Sequence, residues 1–165
     1  MLPRSKDEFV EQQGFADMPA SSRAALYDAL MFQPRLISVL FTAGLILQRP
    51  EYFLALSAAL LWSALLPTLS PFDALYNALI ARPRRLPLLG PARAPRRFAQ
   101  RMAGTSLLVI GVSLGMGWNM AAGVFEGLLA AALLAVVPGR FCLGSSLFIL
   151  MHRAKAGHAP IGSAL

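Results

Sequence analysis

Apolar residues gather in four runs, and nearly all charge falls between them. The runs are LISVLFTAGLILQ (Leu36–Gln48), YFLALSAALLWSALLPTL (Tyr52–Leu69), MAGTSLLVIGVSLGMGW (Met102–Trp118) and NMAAGVFEGLLAAALLAVV (Asn119–Val137). Crossing the hydrocarbon core of a bilayer takes about 20 helical residues at about 1.5 Å each. The last three runs reach or approach that length. The first is short; it spans if Arg35 and its neighbours extend it, the arginine stem reaching along the helix to the interface. The competing reading of this run is a buried half-helix.

Two further segments have helical periodicity without membrane length. SSRAALYDALMF (Ser21–Phe32) opens on serines and turns Leu26, Leu30 and Phe32 broadly to one side. SPFDALYNALI (Ser70–Ile80) starts with serine at the N-cap and proline at the first helical position, and Phe72, Leu75 and Leu79 follow at helical spacing. Asp73 falls in its first turn, where the helix dipole favours a negative charge. Both segments are predicted to lie along the cytoplasmic membrane surface. They also echo one another: ALYDALMFQPR from Ala25 aligns with ALYNALIARPR from Ala74. A duplicated unit of surface helix and membrane hairpin would produce that echo, and so would chance similarity of Ala/Leu-rich helices.

Composition fits this pattern. Of 165 residues, 56% are hydrophobic and 14% charged, too apolar for an ordinary soluble surface. The net charge of +7 is confined to the connections, which points to membrane topology rather than nucleic-acid binding. With four spans, 14 of the 15 basic residues share one side, Arg49 being the exception. The positive-inside rule makes that side cytoplasmic. If the first run did not span, Arg4, Lys6, Arg23 and Arg35 would be stranded outside. The expected fold is therefore all-α and polytopic: four transmembrane helices, two short cytoplasmic-face amphipathic helices, and both termini in the cytoplasm. Residues 1–33 form a cytoplasmic segment, 34–151 the membrane domain with a basic loop at 81–101, and 152–165 a cytoplasmic tail. No signal peptide opens the chain, so the first span would have to do the targeting.

Few residues carry candidate chemistry. Glu126 is the only acidic residue well inside a predicted span, where a charge costs of order 2.5 to 3.5 kcal/mol near the helix centre. It is a functional candidate; a hydrogen-bonded tie to Ser57, Ser63, Thr105 or Ser113 is the structural alternative. Gly111 and Gly115 form one GxxxG pair, and Gly123 and Gly127 another, each suited to close helix packing. The basic loop carries Arg82, Arg84, Arg85, Arg93, Arg96, Arg97 and Arg101 among Pro83, Pro87, Pro91 and Pro95. The prolines predict an extended or turn-like path, and the arginines contacts to anionic headgroups or to a cytosolic partner. No nucleotide loop, hydrolase elbow or zinc-ligand spacing is present. One cysteine, Cys142, with His152 and His158 in the tail makes no metal site, and no cofactor or catalytic residue is expected. The residues alone read Cys142 as a small apolar filler beside a kink at Pro138 and Gly139.

From about Ser70 to Met151 the chain resembles a bacterial family of small integral-membrane proteins of unknown function. The likeness rests on LSPFDAL, PARAPRRFAQRMAG and RFCLGSSLFIL. Phe98, Ala99 and Gln100 match a triplet entering the third span, and Phe141, Cys142 and Gly144 match a terminal Phe-Cys-x-Gly-Cys motif. Ser145 replaces the second cysteine. The resemblance implies an ancestral thiol pair handling sulfur, redox equivalents or a soft metal. With Ser145 present, only a mixed disulfide or persulfide on Cys142 remains open to this chain.

Three function classes follow. The first is a non-catalytic scaffold or accessory subunit in the bacterial inner membrane, in contact with anionic lipids and other subunits. The alternatives are a thiol-dependent redox or sulfur-handling protein using Cys142, and a small transporter using Glu126.

Overall fold

The computed structural model describes residues 6–15, 17 and 19–156, excluding the side chains of 20–25 and 153–156. The expected tail beyond Ala156 lies outside them. Among the described residues all regular structure is helical: α1 (Lys6–Gln12), α2 (Ala20–Leu47), α3 (Pro50–Leu65), α4 (Pro71–Tyr76), α5 (Arg82–Arg84), α6 (Ala94–Gly115), α7 (Asn119–Val136) and α8 (Leu143–Ala156). A π-helical turn, Asn77–Ala81, joins α4 to α5.

Three elements differ from the sequence expectation. The surface helix expected over 21–32 and the first span are one helix, α2, which runs through the expected boundary at residue 33 with Pro34 inside it. Proline lacks the N–H that would reach the Leu30 carbonyl. Packing on both sides holds the helix together: Leu30 and Met31 before it, Ile37 and Phe41 after it, all buried. The basic loop is not wholly extended either. Pro83 and Pro95 sit in the first turns of α5 and α6, where no intrahelical N–H is needed, and only the stretch between these helices lacks helix. Finally, α1 lies in a segment too polar to predict. It contributes Phe9 and Val10, both fully buried.

The core has two parts. Near one end, α1, the start of α2 and the α4 region bury Phe9, Tyr27, Met31, Tyr76 and Leu89 together. Tyr27 and Tyr76, equivalent in the internal echo, thus meet in one cluster, whereas Leu30 is buried and its counterpart Leu79 is 64% exposed. Along the bundle, Ile37, Phe41, Phe53, Leu60, Leu107 and Leu129 form the second cluster. Here α3 and α6 run antiparallel at close range. A Cβ at Gly104 or Gly111 would fall 2.9 Å from Leu61 or Leu54, and Ser57 donates to the Gly104 carbonyl at 2.7 Å.

Two helical stretches are long and apolar enough to cross a membrane, Leu26–Leu47 and Asn119–Val136. Pro50–Leu65 and Leu143–His152 are apolar but shorter.

Candidate functional site

Four polar side chains converge near the end of the bundle where α4 packs. Gln33 comes from α2, one residue before Pro34; Asp73 comes from α4; Arg96 and Gln100 lie one turn apart on α6 and so share a face. Ser70 fixes α4 as the sequence predicts, its hydroxyl accepting the Asp73 N–H at 3.4 Å. Arg96 Nη2 donates to Asp73 Oδ1 at 2.5 Å and to Gln33 Oε1 at 2.8 Å. Gln100 Nε2 donates to the same Gln33 oxygen at 2.9 Å. All four residues are at most 6% exposed. Arg96 Nη1, Gln100 Oε1 and Asp73 Oδ2 are buried and make no hydrogen bond among the described residues. An unmade bond of this kind costs about 1–3 kcal/mol, more for a charged group.

Arg96 and Gln100 line a cavity of about 360 Å³ between α2, α6 and α7. Phe9, Gln13 and Gln33, with the first turn of α8, border its polar end, while Ile37, Leu60, Phe125, Leu129 and Leu133 make most of the rest apolar, Ser106 being the polar residue among them. Leu128 and Met102, also in its wall, are 61% and 42% exposed, so the cavity opens to the surroundings.

Cys142 borders the same cavity. It is half-buried with a free thiol, and its backbone N–H donates to Gln12 Oε1 at 3.2 Å. Ser145 is fully buried and donates to the Pro95 carbonyl at 3.3 Å, tying α8 to the start of α6. Gly144 lies so close to α6 that a Cβ there would sit 2.7 Å from Ala99 Cα, and Phe98 packs on Phe148 with ring centroids 5.7 Å apart. The Phe-Ala-Gln triplet and the cysteine segment, separate in the sequence, are therefore two sides of one helix contact.

The other candidates lie apart from this site. Glu126 Oε1 accepts from Gln48 Nε2 at 3.1 Å, a partner on α2's C-terminus rather than the serines or threonine expected. Gln48 holds the left-handed conformation there, φ 48°. Of the two glycine pairs, Gly111 packs against α3 and a Cβ at Gly115 would lie 3.8 Å from Pro50, whereas a Cβ at Gly123 or Gly127 would meet nothing within 4 Å. The arginines divide. Arg96 is buried in the polar cluster, and Arg97 donates to the Ala64 carbonyl at 3.0 Å. Arg93 donates to the Gly14 carbonyl and to Asp17, both at 2.7 Å, and its hydrogen bond holds the Asp17 carboxyl below the usual aspartate range. Arg82, Arg84, Arg85 and Arg101 are exposed. Asn77 clamps the connection they flank, exchanging two hydrogen bonds with the Leu89 backbone at 2.8 and 3.0 Å. Burial raises the Tyr76 hydroxyl above its ordinary pKa, and the nearby Asp28 charge adds to the shift.

Sequence reasoning assigned Asp73 to the helix dipole and Arg96 to headgroups. It missed that they form a pair and that Gln33 and Gln100 complete it. The available signal was two amides at the edges of apolar runs, Gln33 before a proline and Gln100 entering the third run, with no surface role assigned to either.

A family model described as a domain of unknown function, DUF4395, matches residues 28–153. This reaches well upstream of Ser70 and takes in Gln33 as well as the cysteine segment. No curated protein matches the chain. No solved structure matches it.

Proposed function

The chain belongs to the DUF4395 family, and on that premise we propose a non-catalytic, four-span protein of the bacterial inner membrane that serves as a scaffold or accessory subunit. The observation that carries this reading is α7. It is apolar over 18 residues, yet only 17% of that stretch is buried. A core helix of a soluble protein buries most of its length, and a large exposed apolar surface calls for lipid or a partner. Val39, Ile46, Trp62, Val112, Met120, Val124 and Leu134, each at least 43% exposed, supply similar surface on α2, α3, α6 and α7. The 16 residues of α3 make only about 24 Å, which the exposed apolar Leu66 and Leu69 lengthen toward the interface. The apolar part of α6, residues 102–115, makes about 21 Å, with Arg97 and Arg101 in the turns before it at the cytoplasmic end. The accessory role draws on Gly123 and Gly127, whose open face suits close approach by a helix of another subunit.

The test joins topology to assembly. Reporter fusions should place both termini and the 81–101 connection in the cytoplasm. Purification in mild detergent should retain a stoichiometric membrane partner that Gly123→Leu/Gly127→Leu releases. A periplasmic C-terminus, or a partner-free chain in native mass spectrometry, would defeat this reading.

One observation favours a second reading. Cys142 borders the cavity that Arg96 and Gln100 line, so a thiol reaction there would act on whatever occupies the cavity. With Ser145 at the second thiol position, such chemistry is an exchange in which the Cys142 thiolate opens a partner's disulfide, forming a mixed disulfide and releasing the partner's other thiolate.

A further inference from the structure

We propose that α8 is an interfacial helix whose outward apolar stripe, Leu143, Leu147, Leu150 and Met151, inserts into the anionic cytoplasmic leaflet. The assignment rests on the membrane reading above and adds to it a surface that selects negatively charged lipid.

The stripe follows from the way α8 packs. Gly144, Ser145 and Phe148 meet α6 at Ala99, Pro95 and Phe98. Leu143, Leu147, Leu150 and Met151 recur at i, i+4, i+7 and i+8, which places them together on a different face, and they are 41% to 65% exposed.

The depth of this face is set by α6 and α3. Pro95, Phe98 and Ala99 precede the apolar part of α6 and lie among Arg96, Arg97 and Arg101. Arg97 donates to the Ala64 carbonyl of α3 at 3.0 Å. Two residues before Ala64, the exposed Trp62 donates its indole N–H to the Leu69 carbonyl at 3.2 Å. Exposed tryptophan and snorkelling arginine both mark the headgroup level. The apolar stretch Leu143–His152 makes about 15 Å, half of what a crossing takes. A helix of that length at that level lies in the interface.

Charge selects the lipid. From Gly127 to the end of the sequence there is no Asp or Glu, while Arg140 precedes α8 and Arg153 and Lys155 fall in its last turn. An anionic leaflet matches both features at once: acyl chains receive the apolar stripe, and headgroups meet the basic turn.

The experiment uses the full chain in nanodiscs of mixed phosphatidylglycerol and phosphatidylcholine, with an equal trace of a diazirine-bearing analogue of one lipid or the other. The phosphatidylglycerol probe should label residues 143–151 about fivefold more than the phosphatidylcholine probe, the factor that one basic residue gives at about 1 kcal/mol. Arg153→Gln with Lys155→Gln should bring the two probes close to parity. Equal labelling of the unaltered chain would overturn the selection by charge. Nitroxides on Leu147→Cys and Leu150→Cys, each in the Cys142→Ser background, should be reached more readily by oxygen than by a water-soluble nickel chelate. Preferential access by nickel would overturn insertion. Shielding from both reagents would also overturn it, with a second copy or another subunit covering the stripe. Carbonate extraction keeps the two readings apart: a carbonate-resistant chain with nickel-exposed labels retains the spans and loses α8 insertion, whereas a carbonate-soluble chain whose labels favour oxygen on phosphatidylglycerol vesicles retains α8 insertion and loses the spans.

Discussion

Arg96 reaches across from α6 to Asp73 on α4, Nη2 to Oδ1 at 2.5 Å, with side chains only 5% and 9% exposed. Breaking such a pair from one side leaves the other charge buried alone. Asp73→Ala should therefore lower stability by about 3–5 kcal/mol in denaturant titrations of the detergent-solubilised protein. Replacing both partners by apolar residues, Asp73→Leu with Arg96→Met, should recover most of that loss. Additive losses in the double variant would show that the pair is not the unit of stability.

Gly144 and Gly123 should respond to alanine with opposite signs. A Cβ at Gly144 collides with Ala99, so Gly144→Ala should cost about 1–3 kcal/mol and loosen α8. Gly123 faces open space within a helix, where alanine gains about 0.5–1 kcal/mol. Thermal melts in one detergent check both, and equal shifts would contradict the α6–α8 contact.

Glu126 and Gln48 form a second testable pair. Glu126→Gln retains an acceptor for Gln48 Nε2, so it should preserve assembly, whereas Glu126→Leu should weaken it by about 0.5–1.5 kcal/mol. In the Glu126→Leu background, Gln48→Gly should cost little, because glycine relieves the left-handed backbone and only the exposed bond from Gln48 Nε2 to the Leu45 carbonyl, 3.0 Å, is lost. Loss of proton-coupled uptake into liposomes in Glu126→Gln, with folding intact, would instead promote the transporter reading.

Cys142→Ser should leave membrane insertion and growth largely intact. The thiol is half-buried beside the α1 core, and the position of a second thiol is held by Ser145, engaged with Pro95. Water-soluble maleimide should label it slowly in intact membranes. Rapid labelling at neutral pH together with a null phenotype would make the thiol the centre of the mechanism.

Acidification should release Asp17 from Arg93 at the start of α6, while Phe9 and Val10 stay buried. Arg93 depresses the folded-state pKa of Asp17, so this contact is fully present above the unfolded aspartate value of about 3.9 and is lost as pH falls through the lower folded value. After correction for the intrinsic pH dependence of amide exchange, protection at residues 13–15 should fall as pH drops below about 4. Asp17→Asn should abolish that pH dependence, and an unchanged profile in this variant would reject the contact as its source.

Legibility followed the range of the interactions. Ser70, Pro71 and the periodic Phe72 announced α4 because caps and proline placement act within one turn. Pro34 misled, since local chemistry favours a break there while burial on both sides keeps α2 continuous. The α1 helix had no local signal at all: Phe9 and Val10 read as stray apolar residues until α2 and the α4 region enclose them. The arginines looked alike in the sequence, yet Arg96 is buried with Asp73 while Arg85 is exposed, because only the packing of α6 against α4 distinguishes them.

The sequence by itself determined an all-helical chain with long apolar runs and basic connections, since helix periodicity, hydropathy and charge segregation are properties of neighbouring residues. Tertiary structure alone decided where the polar residues meet. Gln33, Asp73, Arg96 and Gln100 come from three helices across 67 positions of sequence, and no local rule couples them. It also decided that the Phe98–Gln100 and Cys142–Ser145 motifs form one contact and that the α7 glycines stay open. Packing follows from the shape of several helices together, and that shape is set by the sum of all their side chains rather than by any one segment.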